Sequence, residues 1–180
     1  ISIFFEQTTK VLMSKLPEKE DNYVFFILDE LSSLYLPSLE IIISNIRKYK
    51  GSLLCILQSF QQLINIYGRE QANAIRMNCF AKMYFAGLDH QTASELSQQL
   101  GKYEWIEEEN NKKHTRELAT ADEIRMMPRD KAILICGNYN PMKLTLMPYY
   151  NNPFLKLRTQ IPVPQHKGQL DDEPVELINE

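Results

Sequence analysis

Hydrophobic and polar positions along the 180-residue chain change their period several times, and these changes predict an alternation of helices and strands. Residues 3–16 place apolar side chains three to four positions apart, which is the spacing of an amphipathic helix. Tyr23–Leu28 is instead an unbroken apolar run of aromatic and β-branched residues, which is typical of a strand buried on both faces of a parallel sheet. A helical pattern follows Pro37, and Leu53–Leu57 then repeats the pattern of a buried strand. The order strand, helix, strand predicts a parallel pair.

Further helices and strands are predicted as far as residue 150. The helical patterns are Phe60–Tyr67, Glu70–Met77, the stretch between Asp89 and Gly101, and a short helix opened by the capping box Thr120-x-x-Glu123. The strand patterns are Cys79–Phe85, Tyr103–Glu107, Ala132–Cys136 and Met142–Met147, of which the last two predict a hairpin. Residues Glu108–Arg116 are largely charged or polar and predict an exposed loop. The whole pattern predicts an α/β fold with an open, mainly parallel sheet covered by helices on both faces.

Length and composition predict one folded domain. A chain of 180 residues with 44% hydrophobic and 24% charged residues supports one sizeable core. We assign residues 1–150 to that domain. Residues 151–180 contain four prolines and an acidic end, so we predict an extended tail that lies against its own domain or a neighbouring chain. The chain begins at Ile1, and we therefore expect it to be a piece of a longer protein.

Charge and cysteine content exclude several classes of protein. The net charge of −3 gives no basic field over the whole chain, so any nucleic-acid contact must be local. The three cysteines lie in apolar runs without C-x-x-C spacing, and we expect reduced, buried thiols rather than disulfides or a zinc site. No apolar stretch reaches the ~18–20 residues that cross a bilayer, so we expect this piece to be soluble.

The chemistry that the sequence indicates lies at the ends of the first two strands. Asp29 and Glu30 follow the first strand, and Gln58 follows the second. Ligands of open α/β sheets bind beyond the carboxyl ends of the strands. In phosphoryl transfer, one carboxylate can hold Mg²⁺ through water, a second can orient the attacking water, and an amide can sense a γ-phosphate. Adjacent Asp and Glu residues also occur at the acidic start of a helix, so a purely structural role of Asp29 and Glu30 stays open.

Arg47 lies between the two strands, at the end of the helix that joins them. A basic residue there suits the helix dipole, and the alternative is an arginine finger that reaches the phosphates of a neighbouring subunit. The six glycines form no G-x-x-x-x-G-K-[ST] loop, so the phosphate cradle lies upstream or is absent.

The order of several short motifs resembles the C-terminal half of the motor domain of the type IV secretion coupling proteins of bacterial conjugation, the VirD4/TraG/TraD family. The motifs are Phe26-Ile-Leu-Asp-Glu-Leu, Ile46-Arg-Lys-Tyr, Ile56-Leu-Gln-Ser-Phe-Gln-Gln-Leu, Tyr67-Gly, Asn78-Cys-Phe-Ala-Lys, Thr92-Ala-x-x-Leu-Ser and Asp122-Glu-Ile-Arg-Met-Met-Pro. The resemblance implies a RecA-like, P-loop NTPase-type three-layer sandwich with a C-terminal β-hairpin, incomplete because the Walker A part is missing.

The resemblance also implies roles for the candidate residues. Asp29 and Glu30 match the Walker B pair, with Asp29 facing Mg²⁺ and ATP. Gln58 matches the sensor glutamine, which contacts the nucleotide, and Arg47 matches the finger offered to the adjacent subunit. The implied protein is a hexameric, DNA-translocating ATPase at the cytoplasmic face of the bacterial inner membrane. It receives a relaxase and its accessory proteins and drives single-stranded DNA to a type IV secretion channel. This piece alone is expected to be inactive.

Two other functions remain open. One is a related translocase of double-stranded DNA, of the chromosome-segregation type. The other is a non-catalytic docking module for a relaxosome accessory protein, in which the acidic pair is structural. For DNA contact, the candidates are either Lys48, Lys50 and Arg69 or the basic residues of the predicted loop, Lys112, Lys113 and Arg116. A charged loop is usually only a solvated one.

Overall fold

The computed structural model describes residues 1–107 and 112–162, and the chain divides after Leu146 into two compact units. The helices of the first unit are α1 (Ser2–Leu12), α2 (Leu39–Asn45), α3 (Phe60–Tyr67), α4 (Arg69–Asn78), α5 (His90–Leu100) and α6 (Ala121–Arg125). Its strands are β1 (Val24–Leu28), β2 (Gly51–Cys55), β3 (Ala81–Phe85), β4 (Lys102–Glu107), β5 (Lys112–Glu117), β6 (Lys131–Cys136) and β7 (Met142–Thr145). Short 3-10 turns cover Leu31–Ser33 and Ile46–Tyr49, and the described part of the second unit contains another at Tyr149–Asn151 and helix α7 (Pro153–Arg158).

The predicted parallel pair is present. Strands β1 and β2 run parallel, with Val24 opposite Gly51 at their start and Leu28 opposite Cys55 at their end. The second strand begins two residues earlier than its apolar run, because Gly51 and Ser52 already take part in the ladder.

Only one face of this pair is covered by the described residues, so the prediction of strands buried on both faces is wrong here. Alternate side chains pack on the first core, which is built mainly from α1 to α4, whereas Phe25 is 72% exposed and Ile27 is 67% exposed. On β2, Leu54 is also exposed, and Ile56 just beyond the strand lies on the same open surface. Alternate side chains of the apolar run therefore lie in the core, and the others are exposed to solvent.

The remaining strands do not extend the parallel pair. Strand β3 pairs with β6 and β6 with β7, all antiparallel, so the described strands form one parallel and several antiparallel ladders. The expectation of a mainly parallel sheet is wrong for this part of the chain, while the predicted β6–β7 hairpin is confirmed. A second core lies between this sheet and helices α5 and α6, around Leu96, Ile124 and Ile133.

The segment predicted as an exposed loop at Glu108–Arg116 contains strand β5 instead, and its residues 108–111 lie outside the described residues. Strand β5 pairs antiparallel with β4. Its residues are charged, but cross-strand pairs such as Lys113 with Glu104 stabilise a polar ladder that apolar periodicity does not reveal. The base of the hairpin is closed by the Leu118 N–H, which donates to the Gly101 carbonyl at 2.9 Å.

The predicted extended tail contains a helix in its described part. Asn152 caps α7, because its Oδ1 accepts from the N–H groups of Phe154 and Leu155, and Pro153 takes the first helical position, where its missing N–H costs nothing. These local signals override the expectation of an extended chain. Residues 163–180 of the predicted tail lie outside the described residues, and where the tail packs stays a prediction.

The cysteines and the helices bear on two other expectations. Cys55, Cys79 and Cys136 are free and half-buried, and burial raises the pKa of the Cys55 thiol to about 12. Cys55 therefore stays protonated near neutral pH and is a poor nucleophile. Within residues 1–107 and 112–162, every helix is too short or too polar to cross a membrane.

Replacing Gly51 with alanine is predicted to destabilise the fold. A Cβ at this position would overlap the Ile46 side chain and lie 3.2 Å from Leu12 Cδ2, and Ile46 is itself buried in the first core. We expect Gly51→Ala to lower the free energy of unfolding by about 1–3 kcal/mol through overpacking. Chemical denaturation measures this, with Ser52→Ala on the exposed face of the same strand as the control. Equal stabilities for the two variants would contradict the packing at Gly51.

Candidate functional site

The candidate site begins where β1 and β2 end. Beyond the last paired residues, the Ile56 N–H donates to the Leu28 carbonyl at 3.0 Å, and the Leu31 N–H donates to the Ile56 carbonyl at 3.1 Å. These two hydrogen bonds tie the segment after β1 to the segment after β2. Glu30 and Gln58 are therefore held on adjacent chain segments at the carboxyl end of the pair.

Glu30 adopts a left-handed backbone conformation, with φ 52° and ψ 48°. This region is uncommon for a residue with a Cβ, and holding such a conformation costs on the order of 1–3 kcal/mol. The Glu30 carbonyl accepts two hydrogen bonds from Ser33, one from its N–H at 2.7 Å and one from its Oγ at 2.8 Å. The chain thus turns sharply at the second carboxylate, directly after the strand.

Helix α3 forms the other wall of the site. Ser59 caps this helix by accepting from the Gln62 N–H, so the helix starts directly after Gln58. Near its end, the Tyr67 hydroxyl accepts from the buried Leu36 N–H at 2.9 Å and donates to the Leu34 carbonyl at 3.4 Å. Burial raises the pKa of Tyr67, so the phenol keeps the proton that it donates. Tyr67 therefore fixes α3 against the segment that follows Glu30.

A cavity of about 410 Å³ lies between these elements. It is lined by Glu30, Ser32, Ser33, Gln58, Gln62, Asn65 and Ile66. The structure thus brings Glu30 and Gln58 together, as their positions after neighbouring strands predict. Gln62 and Asn65 were missed in the sequence, although the Ser59 cap fixes the phase of α3 and the spacing i, i+3 puts both on one face.

As far as the structure describes the chain, the side chains that line the cavity are mostly polar and include no cation. Within the part of the chain that the structure describes, the carboxylate of Glu30 and the amides of Gln58 and Gln62 form no intramolecular hydrogen bond. These groups are available to orient a water molecule or a polar ligand. No Lys or Arg of residues 1–107 and 112–162 lines the cavity, so the residues present could place a water but could not neutralise a triphosphate.

Asp29 is exposed next to Glu30 and does not line the cavity. Among residues 1–107 and 112–162, no three His, Cys, Asp or Glu side chains gather to hold a metal ion. A single carboxylate is nevertheless enough for Mg²⁺ where the phosphates of a nucleotide and water supply the other oxygens. Asp29 fits that type of Mg²⁺ site and fits no site made of protein ligands alone.

Arg47 lies at the other end of the strand pair. It belongs to the 3-10 turn Ile46–Tyr49, just before β2 begins, and its side chain is exposed. Five-residue strands at ~3.3 Å per residue put about 13 Å between the two ends of the pair. The structure therefore separates Arg47 from Glu30 and Gln58 within one chain.

Comparison with known proteins places this arrangement in a family. The family model for type IV secretory system conjugative DNA transfer matches residues 1–171. Protein VirD4 of Agrobacterium fabrum is 25% identical over 169 residues, which cover 86% of this chain and 25% of VirD4. VirD4 of Rhizobium rhizogenes gives the same identity and coverage. The chain spans about a quarter of the length of these relatives.

The fold is similar to that of the bacterial conjugative coupling protein TrwB. The unbound form of TrwB matches with a TM-score of 0.70 and 25% identity, over 80% of this chain and 35% of TrwB. TrwB in complex with the non-hydrolysable ATP analogue ADPNP matches with a TM-score of 0.69, and TrwB in complex with ADP and Mg²⁺ with 0.68. The likeness confirms the predicted α/β, RecA-like class for this fragment.

Replacing Tyr67 with phenylalanine is predicted to loosen the wall of the cavity. The change removes only the hydroxyl and leaves the buried Leu36 N–H without its acceptor, which costs about 1–3 kcal/mol. We expect Tyr67→Phe to lower the free energy of unfolding by that amount in chemical denaturation. Tyr35→Phe is the matched control, because the exposed Tyr35 ring packs on Tyr67 and its hydroxyl has no hydrogen bond within the described residues. A loss of unfolding free energy no larger than that of Tyr35→Phe would show that the hydrogen bond between Leu36 and Tyr67 does not stabilise the fold.

Proposed function

Because the chain belongs to the family of type IV secretory system conjugative DNA transfer proteins, we propose that it is the half of a coupling-protein motor that carries the hydrolysing and sensing residues. The single observation that supports this proposal most strongly is the cavity shared by Glu30 and Gln58. It lies at the carboxyl ends of two parallel strands, where ligands of α/β sheets bind.

In the proposed reaction, the Glu30 carboxylate orients and polarises the water that attacks the γ-phosphorus of ATP. Gln58 donates from its amide and reports whether the γ-phosphate is present, since an amide changes its partners without changing charge. Asp29 would hold Mg²⁺ through water, and the ion would supply positive charge against the charge of the phosphates. The turn at Glu30 and the hydrogen bonds of Ile56 to Leu28 and Leu31 hold the segments that carry Glu30 and Gln58 next to each other.

The phosphates themselves must be held by residues outside this cavity lining, because no described residue of the lining is a cation. We propose that another part of a longer polypeptide supplies them and covers the open apolar face of β1 and β2. Two facts support this: Phe25 and Ile27 are about 70% exposed, and the VirD4 relatives are about four times as long as the matched region. The chain by itself is then expected to hydrolyse ATP poorly.

Arg47 is proposed to act on the nucleotide of a neighbouring subunit. It lies at the opposite end of the strand pair from its own cavity, and its side chain is exposed. A guanidinium placed in this way can reach only the site of another copy, as in a closed ring of motor subunits. We propose a hexamer for the complete protein, placed at the cytoplasmic face of the inner membrane. There it would pass single-stranded DNA, delivered with a relaxase and accessory proteins, to the secretion channel.

Glu30→Gln in the complete protein is predicted to abolish ATP hydrolysis while nucleotide binding stays nearly unchanged. The amide keeps the size of the side chain but cannot act as a base, and loss of a general base costs on the order of 10²–10⁴-fold in rate. Phosphate release measures turnover, and a fluorescent ATP analogue measures binding. Glu20→Gln, in the exposed loop before β1, is the control. Normal turnover by Glu30→Gln would remove Glu30 from catalysis and favour the docking module.

Arg47→Ala is predicted to inactivate rings into which it is mixed. If Arg47 acts between subunits, each variant subunit silences the site of its neighbour, so activity falls more steeply than the fraction of wild-type protein. The experiment titrates Arg47→Ala into wild-type protein and follows ATP hydrolysis. Lys48→Ala removes an exposed neighbouring cation and should leave the mixing curve of the wild type unchanged. Activity strictly proportional to the wild-type fraction would show that Arg47 does not act in trans.

A further inference from the structure

The two faces of the β4–β5 hairpin carry different types of side chain. The register places Tyr103 opposite Arg116 and Trp105 opposite His114. Because side chains alternate along a strand, these four lie on one face, and Glu104 lies on the other together with Glu117. Among the described side chains of β4 and β5, the first face therefore carries rings and cationic or titratable nitrogens, and both carboxylates face away from it.

The rings on that face form a continuous stack. The Trp105 and His114 centroids lie 5.1 Å apart with an interplanar angle of 19°, and the Tyr103 and Trp105 centroids lie 5.5 Å apart at 28°. We call Tyr103, Trp105 and His114 the aromatic ladder. Tyr103 is 41% exposed and Trp105 is 43% exposed, and neither belongs to either core cluster. Large aromatic side chains that leave this much surface in solvent contribute little to the core and are available to a partner.

The guanidinium of Arg116 lies beside the aromatic ladder and is held in place. Arg116 forms an ion pair with Glu123 of α6, and the same carboxylate accepts from the Thr120 N–H at 2.9 Å as part of a capping box. The hairpin is therefore anchored to the second core at this point. A guanidinium has five N–H donors, more than one carboxylate uses, so Arg116 can donate to a further acceptor.

We propose that the aromatic ladder and Arg116 form a binding platform for single-stranded nucleic acid, on which unpaired bases stack. This inference rests on the proposed function and adds a site to it. Unpaired bases expose π-faces that stack on aromatic rings, whereas bases in a duplex already stack on each other.

The ion pairs of the hairpin decide what kind of binding to expect. Lys113 is paired with Glu104 on the opposite face, and Arg116 is paired with Glu123. The guanidinium on the aromatic face, Arg116, is already paired, so little free positive charge lies beside the described rings to release counterions from phosphates. The contribution of the platform therefore comes mainly from stacking, and it depends only weakly on salt concentration.

Trp105 is the single tryptophan of the chain, so its fluorescence reports directly on the ladder. We expect a short pyrimidine DNA strand to quench this fluorescence, and a duplex of the same length to leave it nearly unchanged. We further expect Trp105→Ala to weaken binding of the fluorescein-labelled strand about tenfold, with a similar ratio in low and moderate salt. Trp105→Tyr should retain most of the affinity because it keeps a ring, and Trp105→Leu should not.

Ile106→Ala is the matched control, because Ile106 is 60% exposed on the opposite face of the same strand. Circular dichroism and chemical denaturation identify any variant that does not fold. If Trp105→Ala does not fold, the affinities of Trp105→Tyr and Trp105→Leu are compared instead. Equal quenching by duplex and single strand, or equal affinity for the Trp105→Leu and wild-type chains, would overturn the platform.

In the complete protein, Trp105→Leu should keep DNA-independent ATP hydrolysis. If the wild-type protein does not bind the single strand through Trp105 while its Glu30-dependent hydrolysis is intact, this inference is refuted and the motor proposal stands.

Discussion

The parallel pairing of β1 with β2 is the constraint on which the candidate site depends. The ladder ends with Leu28 opposite Cys55, and two further backbone hydrogen bonds through Ile56 continue the tie beyond the strands. A shift of one residue in this register would turn every side chain to the other face and would separate the two strand ends. With the register fixed, a carboxylate and an amide from distant parts of the sequence share one polar cavity.

The same pair shows what the cavity lacks for the nucleotide site that we propose. Helices α1 to α4 bury one face of the sheet, and the other face keeps four apolar side chains in solvent. Among the described residues, the cavity offers groups that orient water but no cation that binds phosphate. These two features match the coverage of the relatives, because the chain corresponds to about a third of TrwB and a quarter of VirD4. Both features agree with our proposal that another part of a longer polypeptide covers this face and holds the phosphates.

The β4–β5 hairpin follows a different physical rule from the cores. Its strands contain few apolar residues, and cross-strand ion pairs and ring stacking hold them together. Along the sequence, the aromatic residues Tyr103 and Trp105 lie in one segment, and the nitrogen-bearing residues His114 and Arg116 lie in another. Only antiparallel pairing interleaves them on one face, so a search for alternating aromatic and basic residues along the chain misses the pattern.

The sequence alone determined which segments are helices and strands over most of residues 1–150, and which polar residues end β1 and β2. Apolar periodicity, the caps at Ser59, Asp89 and Thr120, and the turn before β7 are local signals that act over a few residues. The tertiary structure decided that β3 runs antiparallel to β6, that one face of β1 stays open, and that Gln62 and Asn65 join the cavity. It also decided that Arg47 stands apart from Glu30. Each of these depends on contacts between residues far apart along the chain, and a local pattern carries no information about such contacts.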